Sequence, residues 1–185
     1  MSESGMSYLT AIVDALSTRS LPPVNSWQPD ITRDIDMRIA RNGDWFYEGS
    51  RIDRSRMVRL FSSVLRMDGD DTYLVTPQER LRIVVEDAPF TAVLVERRRE
   101  ATSPELVFTT NLGEQVVADE QHPIQVRYER PDDEPAPYVL VRDRLQALIS
   151  RAVFLELATM AEERDGRLGV LSCGCFMPLD AAADE

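Results

Sequence analysis

The sequence predicts an α+β protein of two subdomains with a duplicated strand–hairpin–strand–helix core. Three observations carry this reading. Apolar residues recur at helical spacing in a few places and at every second residue in many more. Residues 54–62 align without a gap on residues 142–150, with arginines at matched places, and the short strands ahead of each, 37–39 with 45–47 and 126–128 with 138–140, answer one another. The length of 185 residues suits one large domain or two small ones. We place the boundary within 68–88, giving subdomains 1–77 and 78–185.

In chain order, Tyr8, Leu9, Ile12, Val13 and Leu16 predict a short amphipathic opening helix. It ends before Leu21-Pro22-Pro23, because the residue ahead of a proline is pushed out of the helical region. Residues 22–29 then read as an ordered extended loop around Trp27. Residues 34–39 alternate polar and apolar, the period of a half-buried strand. Asn42-Gly43 turns the chain, since both residues tolerate positive φ, and 45–47 returns as the partner strand. Gly49-Ser50 breaks it. Met57, Leu60, Phe61, Val64 and Leu65 predict a helix capped by Asp53 and ended by residues 68–71. Strands follow at 72–76, 81–86, 91–97, 106–110, 115–117, 124–129 and 138–141. A long helix over about 142–160 completes the reading, and the small acidic tail beyond Leu179 reads as frayed.

Composition narrows the function. With 21 basic and 32 acidic residues the net charge is −11, which argues against binding a nucleic-acid polymer or an anionic membrane surface. Every basic residue is arginine, so Schiff-base chemistry, a covalent pyridoxal cofactor and a Walker-type phosphate lysine are all excluded. The two cysteines, Cys173 and Cys175, are one residue apart and lack the spacer of redox motifs, so they read as buried thiols in a turn. With a single histidine, His122, no ordinary zinc site is expected, and neither a metal nor a cofactor enters the reading. No apolar run approaches the ~20 residues of a membrane span, and no secretory leader is apparent, so the expected location is the cytoplasm.

Positive charge is concentrated over residues 33–66, where eight arginines face five acids. On the helix there, Ser55, Arg59, Ser62 and Arg66 fall at spacings of four, three and four, which predicts one shared face. Gly49-Ser50 ahead of it would offer free N–H groups at a helix N-terminus. Arginine forks and serine hydroxyls suit a phosphate, and a solvated helix face is the competing reading. Asp34, Asp36 and Arg38 predict one polar strand face, read as a row paired with neighbouring arginines. His122 lacks a nucleophile motif, which leaves a hydrolytic triad unsupported.

The motifs at 34–40, 45–52 and 57–66, with Leu74-Val-Thr-Pro, Val85-Glu-Asp-Ala-Pro-Phe, Thr110-Asn-Leu-Gly and His122-Pro, resemble the bacterial family called domain of unknown function 1285. The resemblance runs over about 21–179. It departs at Arg51, where the family pattern favours proline, and at Cys173 and Cys175 in the closing segment. It implies a two-domain α+β protein whose C-terminal half is a pleckstrin-homology-like barrel capped by a long helix. It also implies a ligand site at the domain interface, for a nucleotide-like molecule, and a role in signal transduction. Carried over motif by motif, the ligand-binding candidates are Asp36, Arg38, Trp45, Glu48, Arg54, Arg59, Thr76, Glu86, Asp87 and His122.

The expected function is therefore a ligand-binding module that senses a small anionic or nucleotide-like molecule. Arg54 and Arg59 would hold phosphate, Trp45 would offer a ring face, and Asp36 or Glu48 would orient hydroxyl groups or arginines. The alternatives are a small enzyme acting on the same ligand, with His122 or a carboxylate as base, and a protein-interaction module.

Overall fold

Strand β1 (Ile31–Ile39) buries Met37 and Ile39 on one side and leaves Asp34 and Asp36 exposed on the other, as the period of two requires. In the computed structural model, which describes residues 21–99, 103–128 and 135–180, the chain divides into two units, Met1–Asp87 and Ala88–Glu185. The expected opening helix lies outside the described residues.

The first unit continues with β2 (Trp45–Tyr47), β3 (Ser50–Arg51), α1 (Ser55–Ser63), β4 (Leu65–Asp68), β5 (Asp71–Val75) and β6 (Glu79–Val85), and the loop ahead of β1 holds a 3-10 turn at Val24–Ser26. These strands form one sheet in the order β3-β2-β1-β6-β5-β4. Its central pair, β1 with β6, is parallel, and every other pair is antiparallel. Because β6 belongs to this sheet, the first unit runs on to Asp87, at the late end of the 68–88 window. Between Asp34 and Arg38 the β1 register slips against β6, a bulge in the middle of the polar row. The core is closed by α1, whose Phe61 stacks on Trp45 with ring centroids 6.2 Å apart.

Two local expectations for α1 are corrected. Asp53 does not cap it: Arg54 occupies the N-cap with no side-chain bond, while Asp53 is largely exposed and lies 3.9 Å from Arg51. The helix also stops at Ser63, with Val64 as C-cap. Leu65 and Arg66 are strand residues, because β4 pairs antiparallel with β5 through Leu65–Leu74 and Arg66–Tyr73. Inter-strand bonds to β5 replace the last helical turn.

The second unit contains β7 (Phe90–Arg99), β8 (Pro104–Thr110), β9 (Gln115–Val117), β10 (Ile124–Arg127), β11 (Ala136–Arg142), β12 (Leu145–Ile149), α2 (Arg151–Thr159), β13 (Glu162–Arg164), β14 (Arg167–Ser172) and β15 (Cys175–Pro178). Its main sheet runs β10-β11-β12-β7-β8-β9, and β13-β14-β15 form a second, antiparallel sheet. The long helix expected over 142–160 is replaced by a hairpin and a nine-residue helix. Leu145, Ala147 and Ile149 are buried at every second position, β12 pairs parallel with β7, and Ser150 caps α2 by accepting the Val153 N–H. Asp165 and Gly166, both at positive φ, form the two-residue turn that joins β13 to β14.

The proposed match of 54–62 to 142–150 therefore fails, since one segment is helix and the other a strand hairpin. A duplication survives in the strand order. With β7 to β12 set against β1 to β6, both sheets pair their first and last strands in parallel at the centre and run outward antiparallel. The equivalence is first strand with first strand, not β1 with β10 as the local pattern suggested.

Candidate functional site

Arginine pairing separates one surface of the first unit from the rest. On and around the sheet, Arg33 meets Glu79 at 3.3 Å, Arg41 meets Asp87 at 3.0 Å, and Arg51 meets Asp44 at 2.8 Å. Arg66 and Arg80 share Asp68 at 2.8 and 3.0 Å, Arg82 meets Asp34 at 2.6 Å, and Arg38 bonds Glu86. Arg54 at the N-cap of α1, and Arg56 and Arg59 on it, are all exposed and have no acidic partner among the described residues.

The helix end under these arginines is also unsatisfied. Arg54 has extended backbone angles, and its carbonyl accepts the N–H groups of Met57 and Val58 at 2.9 and 3.1 Å. Those of Ser55 and Arg56 have no partner among the described residues, and no acid stands in the first turn. A helix dipole that meets arginines and no carboxylate at its positive end is destabilised unless an anion joins it. Ser55, Arg56 and Arg59 lie on adjoining lines of the exposed face, since positions three and four apart are neighbours. Arg56 was not among the sequence candidates; its place two residues after Arg54 and three before Arg59 was the available signal.

The four-residue face expected on this helix is not formed. Ser62 is buried and its Oγ donates to the Arg59 carbonyl at 2.9 Å. Arg66 has left the helix and holds Asp68 together with the carbonyls of Val24 and Trp27. Gly49-Ser50 does not lie at the helix N-terminus: Glu48 and Gly49, at φ 47° and 72°, make the turn between β2 and β3, five residues ahead of the Arg54 N-cap.

The remaining candidates separate by role. Trp45 is 1 % exposed, so its ring faces the core and is not offered to a ligand; its Nε1–H has no hydrogen-bond partner among the described residues. Thr76, also buried, donates from Oγ1 to the Glu79 carbonyl and accepts the Gln78 and Glu79 N–H groups, which closes the β5–β6 turn. Arg38, Glu86 and Asp87 do come together, through Arg41. Glu86 accepts from the Arg41 N–H at 3.0 Å and from Arg38, whose guanidinium lies 4.3 Å from the Phe46 ring centre. The Arg41 N–H first, and Arg38 second, hold the Glu86 carboxyl below its ordinary pKa. This cluster is internally neutralised. Asp36 and Glu48 are exposed neighbours, joined where the Glu48 N–H donates to the Asp36 carbonyl at 2.9 Å.

His122 belongs to the second unit, where its Nδ1 lies 3.0 Å from Asp119 Oδ1, and the same oxygen accepts the N–H groups of Gln121 and His122. Partial burial is the largest single effect on Asp119 and pushes its pKa up, but these bonds together bring it below the ordinary value. The arrangement orders the β9–β10 loop. Cys173 and Cys175 are free and half-buried; Cys173, at φ 50°, and Gly174 turn β14 into β15. Among the described residues no group of three or more His, Cys, Asp or Glu side chains could hold a metal ion, and no helix is long and apolar enough to cross a membrane.

Comparison with known proteins adds a family without a reaction. Residues 22–88 match the N-terminal domain of the domain of unknown function DUF1285, and residues 89–179 match its C-terminal domain. A crystal structure of a DUF1285 family protein from Silicibacter pomeroyi DSS-3 is similar at 47 % identity, covering 92 % of this chain and 93 % of that one with a TM-score of 0.85. A second, from Shewanella baltica OS155, shares 28 % identity over 66 % of this chain and 90 % of its own, with a TM-score of 0.53. No curated protein matches the chain.

Proposed function

The chain belongs to the DUF1285 family over both of its domains, and within that frame we propose that it is a binding module for a small anionic, phosphate-bearing molecule, recognised at the N-terminus of α1. One observation carries the reading. In a unit whose other described arginines are neutralised by acids, Arg54, Arg56 and Arg59, and the N–H groups of Ser55 and Arg56 beside them, have no partner among the described residues. In a chain of net charge −11, three uncompensated arginines on one short helix are a local reversal of sign. Guanidinium forks and helix N–H groups share one ligand chemistry, a tetrahedral oxyanion with several acceptor oxygens. A nucleotide-like molecule satisfies this through its phosphates, and the reading extends to a sensing role in signal transduction in the cytoplasm.

The fold supports a scaffold for binding. We read the second unit as pleckstrin-homology-like in the loose sense: β14 packs against β8 and β15 against β10, so the smaller sheet spans toward both sides of the larger one.

A thermal-shift screen with inorganic phosphate, pyrophosphate and nucleoside di- and triphosphates tests the proposal, because a ligand that favours the native state raises apparent stability. The melting temperature rises with at least one of these in the natural protein and not in an Arg54→Ala/Arg56→Ala/Arg59→Ala variant. A screen with no shift, or an equal shift in the variant, defeats the reading.

A further inference from the structure

A second unsatisfied surface lies in the other unit, at the far end of β7. Strand β12 covers β7 only from Phe90 to Ala92; the Ser150 N–H then bonds the Ala92 carbonyl and the chain turns into α2. From Leu94 to Arg99, β7 has β8 as its described strand neighbour, on one side.

The bonds of β8 reveal which way the β7 backbone points. The Leu106 carbonyl accepts the Ala118 N–H at 2.9 Å, and the Leu106 N–H donates to Ser172 Oγ at 2.9 Å. The Pro104 carbonyl accepts the Cys173 N–H at 2.9 Å. All of these groups face away from β7. In an antiparallel ladder such residues form the non-hydrogen-bonded pairs, and the residues opposite them also turn their N–H and C=O groups outward. Those residues are Arg97, opposite Leu106, and Arg99, opposite Pro104. Both are exposed, and neither has a hydrogen-bond or ion-pair partner among the described residues. Arg98, whose side chain lies on the other face, is held by Glu96 at 3.4 Å.

We propose that this edge of β7 takes an added strand from a partner protein, an extended segment carrying acidic residues at alternate positions. The outward backbone groups, which have no partner among the described residues, supply the ladder, and the Arg97 and Arg99 side chains, two apart on one face, select carboxylates spaced by the same period. Val93 and Leu94, 50 % and 46 % exposed at the bulge where β7 leaves β12, extend the edge with apolar surface. A second copy of β7 is the wrong occupant. Val95, the next outward-facing residue, is buried, so self-pairing engages Arg97 and Arg99 again and sets arginine opposite arginine, which is destabilising.

The experiment uses the full chain and a fluorescent eight-residue peptide that alternates glutamate and valine, read by anisotropy. It is repeated with the peptide N-methylated at every second residue, and with a lysine–valine peptide. The acidic peptide binds the natural protein, and N-methylation, which removes strand donors but no charge, weakens it by about tenfold or more. The Arg97→Glu/Arg99→Glu variant, with an unchanged melting curve, loses the acidic peptide and gains the lysine one. The Arg54→Ala/Arg56→Ala/Arg59→Ala variant binds the acidic peptide as the natural protein does. Absence of binding, equal binding of the N-methylated peptide, or loss of binding in the α1 variant overturns the proposal. The N-methylated arm decides the matter even where the charge-reversed variant does not fold.

Discussion

Arg66 clamps Asp68 from two residues away, through Nε and Nη2 contacts of 2.8 Å to both carboxylate oxygens, while its third nitrogen holds the carbonyls of Val24 and Trp27 at 2.8 Å. One guanidinium thus ties the loop ahead of β1 to the edge strand β4. It is 12 % exposed, so these bonds form largely out of water. Replacing Arg66 with alanine should cost about 2–3 kcal/mol in urea unfolding, the range for hydrogen bonds to charged groups left half made. Arg66→Lys should recover little, because an ammonium cannot fork across a carboxylate and reach two carbonyls as well.

The same pair sets an acid limit. The Arg66 hydrogen bonds, and then those from Arg80, hold the Asp68 carboxyl below its ordinary pKa against a partial burial that raises it. A depressed folded pKa means stability that is full above the unfolded value, near ~3.9, and lost as pH falls through the folded one. The stability gap between the natural protein and Asp68→Asn should therefore be constant from pH 5 to 7 and close below about pH 4. A gap that is unchanged at low pH refutes the assignment.

The arginines of α1 should oppose stability while serving binding. Arg56→Glu places a carboxylate in the first turn, where the helix dipole favours it by about 0.3–1 kcal/mol. Arg54→Ser supplies the missing N-cap and should add about 0.5–1.5 kcal/mol. Both variants should melt higher than the natural protein and respond less to phosphate ligands. Lower melting temperatures would mean that these arginines contribute to the fold.

Trp45 separates shape from polarity in the core. Trp45→Ala should cost about 3–5 kcal/mol, the usual range for emptying an aromatic site. Trp45→Phe should cost less than about 1.5 kcal/mol, because the smaller ring also removes a buried N–H that has no partner among the described residues. Denaturant titration of the two variants checks the ratio.

Ser172 joins the last hairpin to the main sheet of the second unit. It is fully buried, accepts the Leu106 N–H at 2.9 Å and donates to the Ala118 carbonyl at 2.6 Å. Ser172→Ala leaves both backbone groups without that partner and should cost about 2–4 kcal/mol. Hydrogen exchange at Leu106 should rise in the variant, and an unprotected amide in the natural protein would contradict the geometry.

By itself the sequence determined those elements whose cause is local. Asn42-Gly43 turns β1 into β2, the strand expected at 81–86 buries Leu81 and Ile83 two residues apart, and Phe61 lies on the inner face of α1. The family was also legible, because consecutive motifs spanning nearly the whole chain leave few alternatives. Tertiary structure decided wherever one string fitted two periods. Leu145, Leu148 and Ile149 suit a helix and Leu145, Ala147 and Ile149 suit a strand; parallel pairing with β7, far away in sequence, selected the strand. Leu65 and Arg66 left α1 for the same reason, drawn by β5. Pairing choices among arginines were equally non-local. Arg38 found Glu86, forty-eight residues away, while Arg54, Arg56 and Arg59 have no acidic partner among the described residues and became the candidate site. Local propensity depends on neighbours within a few residues, but which donors stay unpaired depends on which strands lie side by side, and strand order is a property of the folded chain.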